Sequence, residues 1–218
     1  MGRSLGRQAD CGIMGTKMSS ATLGARFAAP RTHPRTVCHP LKALRALRAR
    51  ASGAGFLLRS LFQHSSKVEG IEIRGPQDFC DRVAAALRVL SAGAPAAFDL
   101  CQRHFNLVIR SRHSGVDATT RPAIVMLGQW VTSVSTAYLA SGLAHEAHHC
   151  SLYWSHRERE PTREVPREVF SGEEAERQCL KYQIAVLKQL GETEEVTRRV
   201  RESIETGYWN VPWHERTW

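Results

Sequence analysis

The heptapeptide Ala144-His145-Glu146-Ala147-His148-His149-Cys150 decides how the rest of the chain is interpreted. It contains the pattern H-E-x-x-H, with two histidines four residues apart and a glutamate directly after the first. On an α-helix, residues at this spacing lie on one face, one turn apart and about 40° round the axis. Two imidazole nitrogens placed in this way can reach one metal ion, and Glu146 lies beside them to hold a water molecule. The pattern therefore predicts a metal site with His145 and His149 as two of its ligands.

Three other residues near the motif, His148, His156 and Cys150, are not expected to bind the metal. His148 turns away from the face of the two predicted ligands, and His156 lies two turns further on, too far to share their metal. Cys150 points roughly 100° away from His149. We expect Cys150 to be a small buried residue of the core, because free cysteine commonly packs in this way.

The surrounding residues 132–154 predict a long helix that is apolar enough to be buried. Gly142 lies inside it, where glycine costs up to about 1 kcal/mol relative to alanine. The missing side chain could allow close packing against a strand or leave room beneath the metal. We expect packing to be the reason.

The positive charge of the chain is confined to its first part. The formal net charge is +9, but residues 1–66 carry eleven Lys/Arg against one acid, whereas residues 67–218 carry nineteen basic and twenty acidic residues. We interpret 1–66 as a basic, low-complexity and disordered leader, with a targeting or membrane-surface segment as an alternative. Residues 67–218 form the predicted domain. Its near-neutral charge argues against a nucleic-acid partner.

Cysteine usage and hydropathy bear on the compartment. The six cysteines are widely spaced and form no C-x-x-C pair, which favours a reducing, cytoplasmic location. No run approaches the roughly 18 apolar residues of a membrane-spanning helix. The oligomeric state cannot be predicted from the sequence.

Periodicity predicts an α+β fold. Short β-branched runs predict three strands, near residues 68–74, 107–109 and 122–127, and apolar residues at helical spacing predict amphipathic helices between and after them. After the long helix, 156–169 is predicted to be a charged loop. Ser171 is predicted to cap a second long helix that ends at Gly191, and a polar helix follows over 192–205. A small three-stranded sheet should therefore pack on the H-E-x-x-H helix and on the helix after it.

A catalytic zinc site needs a third protein ligand and leaves a fourth position for water. The first turn of the second long helix supplies three glutamates, Glu173, Glu174 and Glu176. The third ligand is expected among them, and the residues alone leave all three open.

The motif followed by a helix with Glu-Ala resembles the gluzincin branch of the zincin metallopeptidases. The stretch from Ile71 to about Trp209 is also similar to small uncharacterised bacterial metallopeptidases. The resemblance implies a compact zincin-like domain, a Zn²⁺ cofactor and a peptide or protein substrate. It implies Glu174, which precedes Ala175, as the third ligand, with Glu173 and Glu176 as alternates, and Gln178 as a residue that orients a ligand histidine.

The predicted activity is hydrolysis by a zinc-activated water, with Glu146 as the general base. Tyr153 and Tyr138, with His148 and His156, are candidates for stabilising the oxyanion. The gluzincin resemblance implies that strand 122–127 is the sheet edge that binds substrate. The alternative is a zincin-fold protein with a structural metal, which has lost catalysis and acts as a binding or regulatory module.

Overall fold

The computed structural model describes residues 63–210, and they adopt an α+β fold. The leader predicted over 1–66 lies outside the described residues as far as residue 62. The last residues of the aromatic tail, among them Trp213 and Trp218, also lie outside them. Strand β1 begins at His64 and so includes residues on both sides of the domain boundary that we expected near Lys67.

The strands and helices are numbered here in chain order. The strands are β1 (His64–Val68), β2 (Ile71–Gly75), β3 (Phe105–Arg110), β4 (Gly115–Val116) and β5 (Ala123–Leu127). The α-helices are α1 (Gln77–Gly93), α2 (Pro95–His104), α3 (Thr136–Arg159), α4 (Arg167–Ser171), α5 (Glu173–Gln189) and α6 (Glu194–Thr206). Two short 3₁₀ helices, Gln129–Thr132 and Tyr208–Asn210, precede α3 and follow α6.

The prediction of three strands was wrong, because the five strands form one mixed sheet in the order β1-β2-β3-β5-β4. The three central strands β2, β3 and β5 are parallel, and the outer strands β1 and β4 are antiparallel to their neighbours. The two missed strands are the outer ones. β1 is mostly polar and β4 has only two residues, so neither has a hydrophobic run from which it could be predicted.

The predicted strand over residues 68–74 is in fact the turn and second strand of a hairpin. Glu69 and Gly70 both have positive φ, 45° and 96°, and connect β1 to β2. Val68 pairs with Ile71 across this tight turn. The alternation of Val/Ile with polar residues therefore continues through a reversal of chain direction, which periodicity alone does not reveal.

One face of the sheet is buried under helices. In β2 and β5 every second residue is buried, among them Ile71, Ile73, Val125 and Leu127, as expected for strands covered on one side. Helix α1 packs against β1, β2 and α3, and α2 packs against α3 as well. Helix α3 thus lies in the middle of the domain, where nine of its residues are buried.

Strand β5 is not an edge of the sheet, contrary to the expectation for residues 122–127. It pairs with β3 on one side and with β4 on the other. The edge is the two-residue strand β4, with Gly115 opposite Met126 and Val116 opposite Val125.

The segment before the second long helix also differs from the prediction. α3 continues to Arg159, and part of the predicted loop forms the short helix α4. Ser171 is the last residue of α4, and Gly172 is the N-cap of α5. The predicted capping role of Ser171 was therefore wrong.

Gly142 is not held by close packing. A Cβ placed there would meet only the ring of Trp130, at 3.5 Å, which is ordinary van der Waals contact.

We expect Gly142→Ala to stabilise the fold by up to about 1 kcal/mol, because alanine is the better helix former. Urea denaturation of the wild type and the variant measures the change in the free energy of unfolding. Gly75→Ala is the contrasting variant: its Cβ would lie 2.5 Å from the Phe79 ring, so it should destabilise. A loss of stability in Gly142→Ala would contradict the prediction.

His104 makes the fold sensitive to acid. It is buried at the end of α2, and burial, together with Arg121 and Arg103, lowers its pKa to about 4. The unfolded chain takes up a proton near the ordinary pKa of about 6.5. His104 therefore supports the folded state fully above that pH, and the contribution falls as the pH drops towards 4, by about 2 kcal/mol between about pH 7 and pH 5.

We expect the unfolding free energy of the wild type to fall by about 2 kcal/mol more than that of His104→Gln over this interval. Urea unfolding at both pH values measures the difference. The control is His64→Gln, which removes an exposed histidine on β1. Equal losses in the wild type and His104→Gln would refute the prediction.

Candidate metal centre

Helix α3 brings His145 and His149 together in the core. Both side chains are buried, with 8% and 7% of their surface exposed, and their Nε2 atoms lie 3.0 Å apart. The four-residue spacing predicted one shared face, and the structure places both nitrogens at one point on it. A pair of inward-facing imidazole nitrogens at this separation is an arrangement that can bind a single ion.

Helix α5 supplies a carboxylate to the same point. Oε2 of Glu176 lies 3.5 Å from Nε2 of His145 and 3.5 Å from Nε2 of His149. The hydroxyl of Tyr208 donates a hydrogen bond of 2.5 Å to the same oxygen. The three candidate ligand atoms thus form a nearly regular triangle.

The size of this triangle suits a small divalent cation. In a tetrahedral zinc site, metal–nitrogen and metal–oxygen bonds of about 2.0 to 2.2 Å put neighbouring ligand atoms about 3.3 to 3.6 Å apart. The separations here are 3.0, 3.5 and 3.5 Å. Two imidazoles and a carboxylate are also a ligand set that zinc uses, so the residues present fit the ion.

A backbone carbonyl orients one of the two histidines. Nδ1 of His149 donates to the carbonyl oxygen of Phe170, at 2.8 Å, in the short helix α4. A proton held on Nδ1 leaves the lone pair on Nε2, the atom that faces Glu176, so this hydrogen bond selects the tautomer that binds metals. His145 differs, since its Nδ1 is buried without a hydrogen-bond partner among residues 63–210.

Cys179 reaches the same cluster from α5, three residues after Glu176. The potential ligand atoms of His145, His149 and Cys179 all lie within 4.8 Å of one another. Cys179 is fully buried. A buried cysteine on the apolar face of a helix has the same sequence pattern as any small apolar residue, so periodicity does not distinguish Cys179 as a possible ligand.

The charges of the cluster depend on one another. Burial opposes ionisation of Glu176, but its hydrogen bonds to His145 and His149 outweigh burial and hold the pKa of the carboxyl well below its usual range. Burial likewise opposes protonation of His149, but its contacts with Cys179 and Glu176 raise the pKa of the imidazole above its ordinary value. Without metal, the cluster therefore favours a carboxylate beside a protonated imidazole, and metal binding must displace that proton.

Glu146 lies next to this cluster without belonging to the triangle. Its side chain is partly exposed and lines a cavity beside the two histidines. Burial raises the pKa of its carboxyl, although His145 and His149 act in the opposite direction. A carboxylate with a raised pKa, close to a metal site, has the properties of a general base.

A cavity of about 790 Å³ opens onto the two histidines and Glu176. Its walls include the edge strand β4 and several aromatic side chains, among them Trp130, Tyr138 and Phe170. Its volume lies within the range of small-molecule and peptide sites.

The other residues of α5 that were predicted to belong to the site lie at the surface, away from the two histidines. Glu174 and Gln178 are exposed and hydrogen bond to each other, with 3.1 Å between Gln178 Nε2 and Glu174 Oε1. Glu173 is exposed and forms an ion pair with Arg177. The structure thus brings Glu176 to the histidines and leaves Glu174, Glu173 and Gln178 at the surface.

Of the two tyrosines predicted as oxyanion donors, only Tyr138 lines the cavity. Tyr138 lines the cavity and packs edge to face on Trp130, with ring centroids 6.2 Å apart. Tyr153 is not among the cavity's lining residues; it packs on Phe170 at 5.0 Å and so supports the residue whose carbonyl holds His149.

The two residues that we set aside within the motif lie away from the cluster. The ring of His148 stacks on Tyr182, with centroids 4.7 Å apart. Cys150 is fully buried in the main core.

Sequence reasoning missed three contributors: Phe170, Tyr208 and Cys179. Phe170 acts through its backbone, which carries no sequence pattern. Tyr208 belongs to a tail that also contains Trp209, Trp213 and Trp218, and such a group of aromatic residues predicts a packed cap on the domain and not a contact with a carboxylate.

Comparison of the chain with protein-family models, curated proteins and solved structures finds no significant match. The assignment of a metal centre therefore rests on the geometry of the cluster. Within residues 63–210, none of the helices combines the length and the apolarity needed to cross a membrane.

We expect Glu176→Gln to weaken Zn²⁺ binding by roughly tenfold or more, since even the loss of a group that only orients a ligand costs about that much. Glu174→Gln, two residues away on the same helix, is the matched control and should bind zinc like the wild type. Zinc affinity is measured by competition with a chromophoric chelator, and zinc content by elemental analysis. A larger loss in Glu174→Gln than in Glu176→Gln would reverse the assignment.

Proposed function

We propose that this chain is a zinc-dependent hydrolase, and that its substrate is a peptide or protein. The observation that carries the proposal is the convergence of His145, His149 and Glu176 at one point beside a cavity that also contains Glu146. This arrangement separates three metal-binding groups from one carboxylate that is free to move a proton.

In this proposal His145, His149 and Glu176 hold the metal. A bound Zn²⁺ supplies Lewis acidity and lowers the pKa of water towards about 7. Glu146 accepts a proton from the attacking water and returns it to the leaving amine. The hydroxyl of Tyr208 keeps the Glu176 carboxylate turned towards the histidines.

The cavity and the sheet edge favour an extended substrate. Gly115 and Val116 of β4 line the cavity, and among the described strands β4 pairs only with β5. An extended peptide laid against the open side of β4 gains main-chain hydrogen bonds, as in other cases of strand addition. Its scissile bond then lies in the same cavity as Glu146.

A second candidate function follows from Cys179. Its sulfur and one ring nitrogen of each histidine lie within 4.8 Å of one another, and Glu176 approaches the same two histidines from the same helix. A metal bound by all four residues would have no position left for water. A site with four protein ligands is typical of structural zinc. The chain would then be a binding or regulatory module stabilised by its metal.

The substitution Glu146→Gln tests the proposed hydrolase. It should keep zinc at the wild-type stoichiometry and lower hydrolysis of a quenched fluorescent peptide library on the order of 10² to 10⁴-fold, the usual contribution of a general base. Glu173→Gln, which removes an exposed carboxylate of α5, is the control and should keep both properties.

Full zinc occupancy with no hydrolysis by either the wild type or Cys179→Ala, across the library and casein, would favour the structural module. Unchanged hydrolysis by Glu146→Gln would show that another group is the base.

A further inference from the structure

Cys179 adjoins the candidate metal centre but does not line the cavity. The cavity is lined by His145, His149 and Glu176, whereas Cys179 is fully buried and is not part of the lining. Its sulfur nevertheless lies within 4.8 Å of the ligand nitrogens of both histidines. A metal held by the three lining residues would therefore face the cavity, and the thiol would reach it from within the core.

The position of Cys179 on α5 makes this arrangement a property of the helix. Residues three apart lie on neighbouring positions of one helix face, so Glu176 and Cys179 both face α3. The two residues extend from α5 in the same way as His145 and His149 extend from α3. Each helix thus supplies two potential ligands at a spacing that allows both to reach one ion.

The chemistry of the four groups suits zinc better than hard cations. Imidazole and thiolate are preferred by zinc and other borderline or soft ions, whereas Mg²⁺ and Ca²⁺ prefer oxygen ligands. Zinc with four protein ligands is closed, and a catalytic zinc keeps one position for water. Whether Cys179 binds the metal therefore determines whether the site is open at rest.

We propose that Cys179 is the fourth protein ligand of the metal, bound through its sulfur from the buried side, and that it holds the site closed until it leaves. On binding, the S–H bond breaks, a sulfur–metal bond forms and the proton passes to solvent. Release of the Cys179 sulfur would leave His145, His149 and Glu176 as the protein ligands, and the cavity beside them would admit water. This regulation rests on the proposed function, because it concerns the same metal.

The other three buried cysteines of the described region, Cys80, Cys101 and Cys150, belong to the main core. The Cys80 thiol donates to backbone carbonyls, at 3.8 Å to Ile73 and 3.6 Å to Gly75. Cys150 follows His149 directly but lies in the main core, where burial raises the pKa of its thiol to about 12. It is a matched control, since it is equally buried and adjacent to a ligand.

The test uses the full chain, stripped of metal with a chelator and loaded with Co²⁺ at one equivalent. A thiolate bound to Co²⁺ gives an intense sulfur-to-metal charge-transfer band in the near ultraviolet, which nitrogen and oxygen ligands do not give. We expect this band in the wild type and in Cys150→Ala, and its loss in Cys179→Ala and Cys179→Ser. Both Cys179 variants should still bind cobalt, with affinity lower by roughly tenfold or more.

Hydrolysis provides the second measurement. With zinc bound, Cys179→Ala should cleave the peptide library faster than Cys150→Ala and the wild type, because its metal has an open position. Absence of the band in the cobalt-loaded wild type, or its persistence in both Cys179 variants, would overturn the proposal. Equal hydrolysis by Cys179→Ala and the wild type would overturn the closed resting state.

These outcomes are distinct from failure of the proposed function. If the charge-transfer band depends on Cys179 but no variant hydrolyses any peptide, then the fourth ligand stands and the hydrolase fails. If hydrolysis depends on Glu146 but the band is absent, then the hydrolase stands and the role of Cys179 fails.

Discussion

The packing of α5 along α3 is the contact on which the candidate site depends, because each helix carries half of the cluster. Neither helix could hold these groups alone. Two imidazoles and a carboxylate taken out of water each lose hydration, and this costs free energy unless they bind one another or an ion. In this fold Glu176 contacts both histidines and Tyr208, so its charge is compensated before any metal arrives.

That compensation links metal binding to stability. The triangle of ligand atoms exists only when α3 and α5 are packed, and the unfolded chain has no comparable site. An ion that binds only the folded chain therefore stabilises it in proportion to its affinity and concentration. The same ion replaces the contact between Glu176 and the imidazoles, so part of its binding free energy is spent on displacing a proton.

The class of fold and the position of the two histidines could be predicted because both are carried by periodicity. The spacing of His145 and His149 has one geometric meaning on a helix, and the apolar residues around them imply burial. The choice among Glu173, Glu174 and Glu176 could not be made in this way. Neighbouring helix positions differ by about 100°, so the choice depends on how α5 is rotated against α3.

That rotation is set by tertiary structure. The sequence around Ser171 predicts the start of a helix there, but α4 takes up Ser171 and α5 begins after Gly172.

The missed strands also depend on tertiary structure. β1 pairs with β2, which has the same length, and the two-residue β4 pairs with β5, so each is held by its neighbour and not by a hydrophobic run of its own. The resemblance to gluzincins placed the sheet edge at β5, because a two-residue strand has no pattern of its own.

A buried hydrogen bond outside the ligand triangle contributes to the register of α5 against α3. The side-chain amide of Gln183 donates to the hydroxyl of Ser141, at 3.3 Å, across the interface of α3 and α5. A slip of one helical turn, about 5.4 Å, would separate Gln183 from Ser141 and carry Glu176 away from the imidazoles. Leaving the buried amide of Gln183 without a hydrogen-bond partner would cost about 1 to 3 kcal/mol. The pair therefore disfavours any other register of the two helices. The geometry of the candidate site thus depends in part on two residues outside the triangle of His145, His149 and Glu176.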